Sequence, residues 1–143
     1  MYTLKTEHSF DAAHFLYGYE GKCSNIHGHR WRVVLEVSGE KLTDEGQMRG
    51  MLIDFGDLKK DLKEEVDYLD HCLIIEKGSL KETTLAALES ENFRILQFEF
   101  RPTAENMAKY FYIDPYLLYA AALLGVSYTV TSLTVYPLSC ILS

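Results

Sequence analysis

The stretch Cys23-Ser-Asn-Ile-His27-Gly-His29-Arg-Trp31-Arg-Val-Val-Leu35-Glu-Val-Ser38 decides how this chain is read. From Arg30 to Ser38 it is rich in Val and holds the chain's one Trp, a composition suited to a sheet strand. Upstream, Tyr2 to Phe10 alternates in the same way, and a Gly- and Asn-containing loop holding Cys23 joins the two. Side chains two apart on an extended segment project from one face, so His27 and His29 can converge on a single ion. A hairpin brings His14, at the end of Ser9-Phe-Asp-Ala-Ala13, alongside them. Gly28 keeps the opposite face clear. Three neutral imidazoles suit zinc, and three protein ligands leave a fourth position for water or substrate.

A His-x-His pair also arises without function on a solvent-facing strand. Cys23 sharpens the signal, because a thiol and two imidazoles then fall within seven residues of a chain that has only five histidines. Two roles are open to it. As a fourth ligand it would close a structural zinc site. As a thiol of ordinary pKa about 8.5 lowered by a nearby metal, it would be a base at neutral pH. Asp70-His71 offers an imidazole to accept or relay a proton and a carboxylate to orient it. The same pair also fits a helix C-terminus, where the dipole favours His.

Outward from these residues, Asp54-Phe-Gly-Asp57 precedes Leu58, Leu62, Val66 and Leu69, whose spacing predicts one apolar helical face ending near Asp70-His71. Pro102-Thr-Ala-Glu-Asn106 starts a second helix, with Thr103 as N-cap, Glu105 in the first turn, and Met107, Tyr110, Phe111 and Leu118 on the buried face. Pro115 predicts a kink or restart in it. Ser127 to Tyr136 reads as a strand. The segment from Leu73 to Arg101 carries no assignment beyond a candidate strand over Phe93 to Phe100.

With 143 residues, the chain fits one domain over 1–143. A net charge of -7 excludes a nucleic-acid backbone as the expected partner. Three widely spaced cysteines, Cys23, Cys72 and Cys140, fit reduced thiols, and the strand-like start lacks a leader pattern; both predict a cytoplasmic protein. No charged residue follows Asp114. The apolar run Tyr116 to Val126 within that tail is too short to span a membrane and reads as a buried oligomer surface.

Five elements in order, Phe10-Asp-Ala-Ala-His14, Cys23-x-x-x-His27-Gly-His29, Leu52-Ile-Asp-Phe55, Leu69-Asp-His71 and Pro102-Thr-Ala-Glu-Asn106, resemble the 6-pyruvoyltetrahydropterin synthase family over roughly the first 112 residues. The resemblance implies an α+β tunnelling fold (T-fold), an antiparallel sheet with two helices on one face. Trimers of such chains form a barrel and often pair into hexamers, with active sites between subunits. It further implies that His14, His27 and His29 hold Zn2+, that Cys23 is the general base, that Asp70 and His71 complete the proton relay, and that Glu105 lies near the pterin. The implied activity is that of the queuosine-pathway 6-carboxytetrahydropterin synthase, a lyase converting dihydroneopterin triphosphate to carboxytetrahydropterin, acetaldehyde and triphosphate. The pyruvoyl-forming branch, which eliminates triphosphate and keeps the side chain, is the alternative.

Two departures stand out. The segment between Asp70-His71 and Pro102 is longer than in the queuosine-type pattern. Family members also carry a Glu-Thr pair in the last strand, whose carboxylate anchors the pterin by charge-assisted hydrogen bonds. Here Val135-Tyr136 runs into Pro137-Leu138, and no carboxylate side chain follows Asp114. An abrupt change after Tyr112, of the kind an altered reading frame produces, would account for this. A zinc- and pterin-binding oligomer with impaired turnover is therefore a further alternative, unless Glu105 supplies the anchor; the intact Cys23, Asp70 and His71 set argues against it.

Overall fold

The computed structural model describes residues 1–113 and 129–138. The expected kink at Pro115, the helical contact of Leu118, the apolar run from Tyr116 and Cys140 lie outside the described residues.

The first strand pair is longer than its composition suggested. β1 (Tyr2–His14) and β2 (His27–Gly39) are each 13 residues long and pair antiparallel from Tyr2 opposite Gly39 to His14 opposite His27. Both strands therefore run on through the histidine motifs. A short 3-10 turn, Lys22–Ser24, interrupts the connecting loop.

α1 (Phe55–Leu69) starts where Asp54 accepts a hydrogen bond from Gly56 N at 2.7 Å. Its Leu58, Leu62, Val66 and Leu69 are all buried. Thr103 begins α3 (Ala104–Ile113) as expected, its hydroxyl accepting from Asn106 N at 3.3 Å and its carbonyl from Met107 N at 2.9 Å. Met107 and Phe111 are fully buried. Together these two helices cover the face of β1 and β2 that carries Phe10, Ala12, Trp31, Val33, Leu35 and Val37. Burying a side chain of Val, Leu or Phe size contributes about 1.5–3 kcal/mol, so this one face accounts for most of the fold's driving force.

Between α1 and α3 the chain forms β3 (Cys72–Glu76), α2 (Glu82–Ser90) and β4 (Ile95–Phe98). β4 lies within the candidate strand over Phe93 to Phe100, whereas β3 and α2 carry no clear sequence signal. α2 buries none of its side chains, so no apolar periodicity marks it. With β5 (Thr129–Leu138) the five strands form one sheet in the order β4-β3-β1-β2-β5.

The sheet is mixed, which refines the antiparallel sheet with two helices expected above. β1, β2 and β5 are antiparallel neighbours, but β3 joins β1 in parallel and β4 joins β3 in parallel. A parallel neighbour needs a crossover connection, and α2 is the crossover from β3 to β4. Three helices are thus described instead of two.

Opposite the helices, β1 and β2 carry cross-strand ion pairs: Lys5 with Glu36 at 3.0 Å, Asp11 with Arg30 at 2.9 Å, and Glu7 with Arg32. Strand alternation places all six on the face away from the core. Among the described residues, no helix is long and apolar enough to cross a membrane.

Candidate metal centre

The register of the β1–β2 hairpin sets His14 opposite His27 and Ala12 opposite His29. All three imidazoles therefore leave the sheet on one side. Their ring centroids are 4.5 Å (His14–His27), 5.1 Å (His14–His29) and 4.8 Å (His27–His29) apart. One nitrogen from each lies within 4.8 Å of the others, and this is the group among the described residues able to hold a metal ion. The group does not include Cys23.

Two of the rings are oriented by backbone carbonyls. His14 Nδ1 bonds to the Pro102 carbonyl at 2.8 Å, and His27 Nδ1 to the Asn25 carbonyl at 2.7 Å. A carbonyl can only accept, so each Nδ1 carries the proton and each Nε2 presents its lone pair. This is the arrangement that orients ligating histidines, with the second nitrogen fixed by an outer partner.

His14 Nε2 is buried with no hydrogen-bond partner. A buried acceptor left unpaired costs about 1–3 kcal/mol, a cost a cation between the three rings removes. Burial also drives the His14 pKa down from 6.5 to about 4; the Pro102 carbonyl opposes this, and the neighbouring His27 and His29 reinforce it. The imidazole is thus neutral at pH 7, the form that ligates. The donor set and the orphaned nitrogen together fit a divalent metal.

Beneath the rings lies Trp31, fully buried, 4.9 Å from His14 and 5.6 Å from His29 between centroids. It stacks on Phe10 at 5.9 Å and donates Nε1 to the Ala12 carbonyl at 3.3 Å. Its supporting role is absent from the sequence reading above, although its position two residues after His29 places it on the ligand face.

Asp70 and His71 are brought together at the end of α1. His71 Nδ1 donates to Asp70 Oδ2 at 2.6 Å, while Asp70 Oδ1 accepts from Asp11 N at 2.8 Å. The Asp11 carbonyl in turn accepts from His71 N at 2.7 Å. Asp11, three residues before His14, thus clamps the pair to β1 through its backbone. Burial alone would raise the Asp70 pKa, but the Asp11 N–H and His71 outweigh it, and the net shift is downward. His71 has φ of 54°, a left-handed conformation uncommon outside glycine.

A cleft of about 920 Å3 has His29, Gly28, Arg30, His71, Phe93 and Arg94 among its lining, while His14 and His27 lie outside it. A side chain at Gly28 would meet only the Ala12 carbonyl, at 3.9 Å, so the missing side chain serves the open cleft more than local packing. Neither Cys23 nor Glu105 lines the cleft. Cys23 is half-buried in the 3-10 turn, its carbonyl accepting from Leu16 N at 2.8 Å. Glu105 is exposed at the start of α3, its carboxyl pKa lowered by its own backbone N–H and then by Thr103. Cys72, by contrast, is a core residue: burial pushes its thiol up to about 11, and it donates to the Leu69 carbonyl.

Comparison with known proteins gives one consistent answer. The family described as 6-pyruvoyl tetrahydropterin synthase matches residues 3–135. The chain is 38% identical over 114 residues to the 6-carboxy-5,6,7,8-tetrahydropterin synthase of Haemophilus influenzae, covering 78% of this chain and 80% of that one. It is 33% identical over 121 residues to the protein of the same name from Synechocystis, covering 78% and 94%. Among solved structures, the fold is similar to the 6-pyruvoyl tetrahydropterin synthase of Plasmodium falciparum, with a TM-score of 0.62 at 20% identity over 94% of this chain and 96% of that one. The Caenorhabditis elegans enzyme gives 0.54 at 23% identity over 96% of both chains.

Proposed function

The chain belongs to the 6-pyruvoyl tetrahydropterin synthase family, and from that membership we propose that it is a zinc-dependent lyase converting 7,8-dihydroneopterin triphosphate to 6-carboxy-5,6,7,8-tetrahydropterin, acetaldehyde and triphosphate. The relatives that match over most of its length carry the name 6-carboxy-5,6,7,8-tetrahydropterin synthase. The observation that carries the metal-dependent reading is the buried, unpartnered Nε2 of His14 facing two further imidazoles.

His14, His27 and His29 would hold the zinc, which when bound supplies a Lewis acid for the hydroxylated side chain of the pterin. The protein's own groups do the rest. Trp31 and the Pro102 and Asn25 carbonyls fix the ligands. Cys23 takes a proton from the side chain as general base. Asp70 holds His71 with Nδ1 protonated, so that Nε2 faces outward as the accepting nitrogen. His71 is 79% exposed in the single chain, and assembly into a trimer or hexamer would cover it and bring Cys23 of one subunit towards the cleft of another. Among the described residues β4 and β5 are the outer strands of the sheet, where such assembly would take place. We place the protein in the cytoplasm, acting in queuosine biosynthesis.

A second reading rests on β5. Its register sets position 137 opposite Trp31, beside the His29 ligand, and this position is Pro where the family pattern has its pterin-anchoring Glu. Losing a buried charged acceptor costs on the order of a hundredfold in binding. A zinc- and pterin-binding oligomer with weak turnover follows, and Glu105 is the remaining candidate anchor.

One experiment separates these readings: zinc-loaded protein is incubated with dihydroneopterin triphosphate while acetaldehyde, triphosphate and reduced pterin are followed by mass spectrometry, beside a Cys23→Ala control. Acetaldehyde that disappears in the control supports the carboxy-forming lyase. Triphosphate release without acetaldehyde selects the pyruvoyl-forming reaction. Pterin binding without turnover selects the second reading.

A further inference from the structure

Every α-helix ends with carbonyls that have no helical partner, and α1 has no basic residue in its last turn to meet them. Four carbonyls at this end nonetheless find partners. The Asp67 carbonyl accepts from Asp70 N at 3.2 Å, and that of Leu69 from the Cys72 thiol at 2.9 Å. The two remaining, Tyr68 and Asp70, are both taken by one guanidinium: Arg94 Nη2 donates to Tyr68 O, and Nη1 to Asp70 O at 3.1 Å. The guanidinium also lies 5.3 Å from the centroid of the Tyr68 ring. In addition, the backbone carbonyl of Arg94 accepts from Leu73 N at 2.9 Å. Arg94 therefore grips the chain on both sides of His71, by its side chain at Asp70 and by its backbone at Leu73.

The grip coincides with local strain. His71 occupies a left-handed backbone conformation, which is unfavourable for a residue other than glycine and persists only where the surroundings enforce it. Asp11 of β1 holds the His71 N–H, and Arg94 holds the neighbouring Asp70 carbonyl. We propose that Arg94 is a positioning residue for the Asp70–His71 pair, holding the imidazole in the one orientation that presents it to the cleft. The proposal rests on the reading of that pair as the proton relay. It also assigns a role to the long segment between His71 and Pro102, since β4 delivers Arg94 to the end of α1. Lysine cannot replace it, because one ammonium does not reproduce a planar fork that spans two carbonyls.

The test compares wild type, Arg94→Met and Arg94→Lys as zinc-loaded full-length protein. The 15N shifts of the His71 ring, assigned with His71→Gln, report its tautomer without turnover. Wild type should show one fixed form protonated at Nδ1, and both variants an averaged signal. With dihydroneopterin triphosphate, kcat should fall roughly tenfold or more in both variants while KM stays within about threefold. Added guanidinium should restore part of the kcat of Arg94→Met, which a variant that merely fails to fold would not show. Unchanged His71 signals would overturn the proposal, as would a loss confined to KM, which would make Arg94 a substrate contact. If wild type has no turnover, the proposed function fails, yet the ring signals still decide for or against Arg94.

Discussion

At the scale of single residues, the candidate metal centre is three imidazoles, of which His14 and His27 are held by backbone carbonyls and His14 and His29 pack against Trp31. Removing one ligand should abolish the site: His14→Ala is expected to lower bound zinc from one per chain towards none, measured by elemental analysis after dialysis. Cobalt substitution adds an independent reading of Cys23, since a thiolate ligand gives an intense near-ultraviolet band and three imidazoles do not. The burial of His14 also gives the metal-free protein a pH dependence with a definite sign. Its folded pKa of about 4 lies below the ordinary 6.5, so the unfolded chain binds the proton more readily between those values. Stability present above pH 6.5 should therefore be lost as the pH falls towards 4, seen as a falling urea midpoint in chelator. A midpoint that rises on acidification through that window would contradict the buried, neutral His14.

At the scale of elements, α1 and α3 were legible because each repeats apolar residues every three or four positions and begins with a capping side chain. Asp54 and Thr103 both make the capping hydrogen bonds that their residue types favour. α3 is also the element that carries the Pro102 carbonyl to His14, so packing and site are linked through it. Met107→Ala, at a fully buried position on α3, should cost about 2–5 kcal/mol by urea denaturation of the apo-protein. It should also weaken zinc binding, because the carbonyl that orients His14 moves with the helix. β3 and α2 lacked such a signal. β3 is five residues long, and α2 exposes nearly all its surface, so neither imposes a period on the sequence.

At the scale of the whole molecule, β4 and β5 are the outer strands of the sheet among the described residues, and its polar face carries three cross-strand ion pairs. Exposed pairs of this kind contribute about 0–1 kcal/mol, so the face gains little by itself and is compatible with lining a solvent-filled barrel. Sedimentation should give a mass of three or six times 16.4 kDa; a monomer at micromolar concentration would refute the barrel. The sequence by itself pointed to His14, His27 and His29, to the hairpin that carries them and to the two capped helices through local spacing, whereas the relay role of Asp70-His71 came only from the family resemblance. Only the tertiary structure decided that β3 and β4 add in parallel, that Asp11 clamps the Asp70–His71 pair, that Trp31 lies beneath the three imidazoles, and that Arg94 bonds to carbonyls at the end of α1. Those features depend on residues far apart in the chain meeting through sheet register and helix packing, and no local pattern records such meetings.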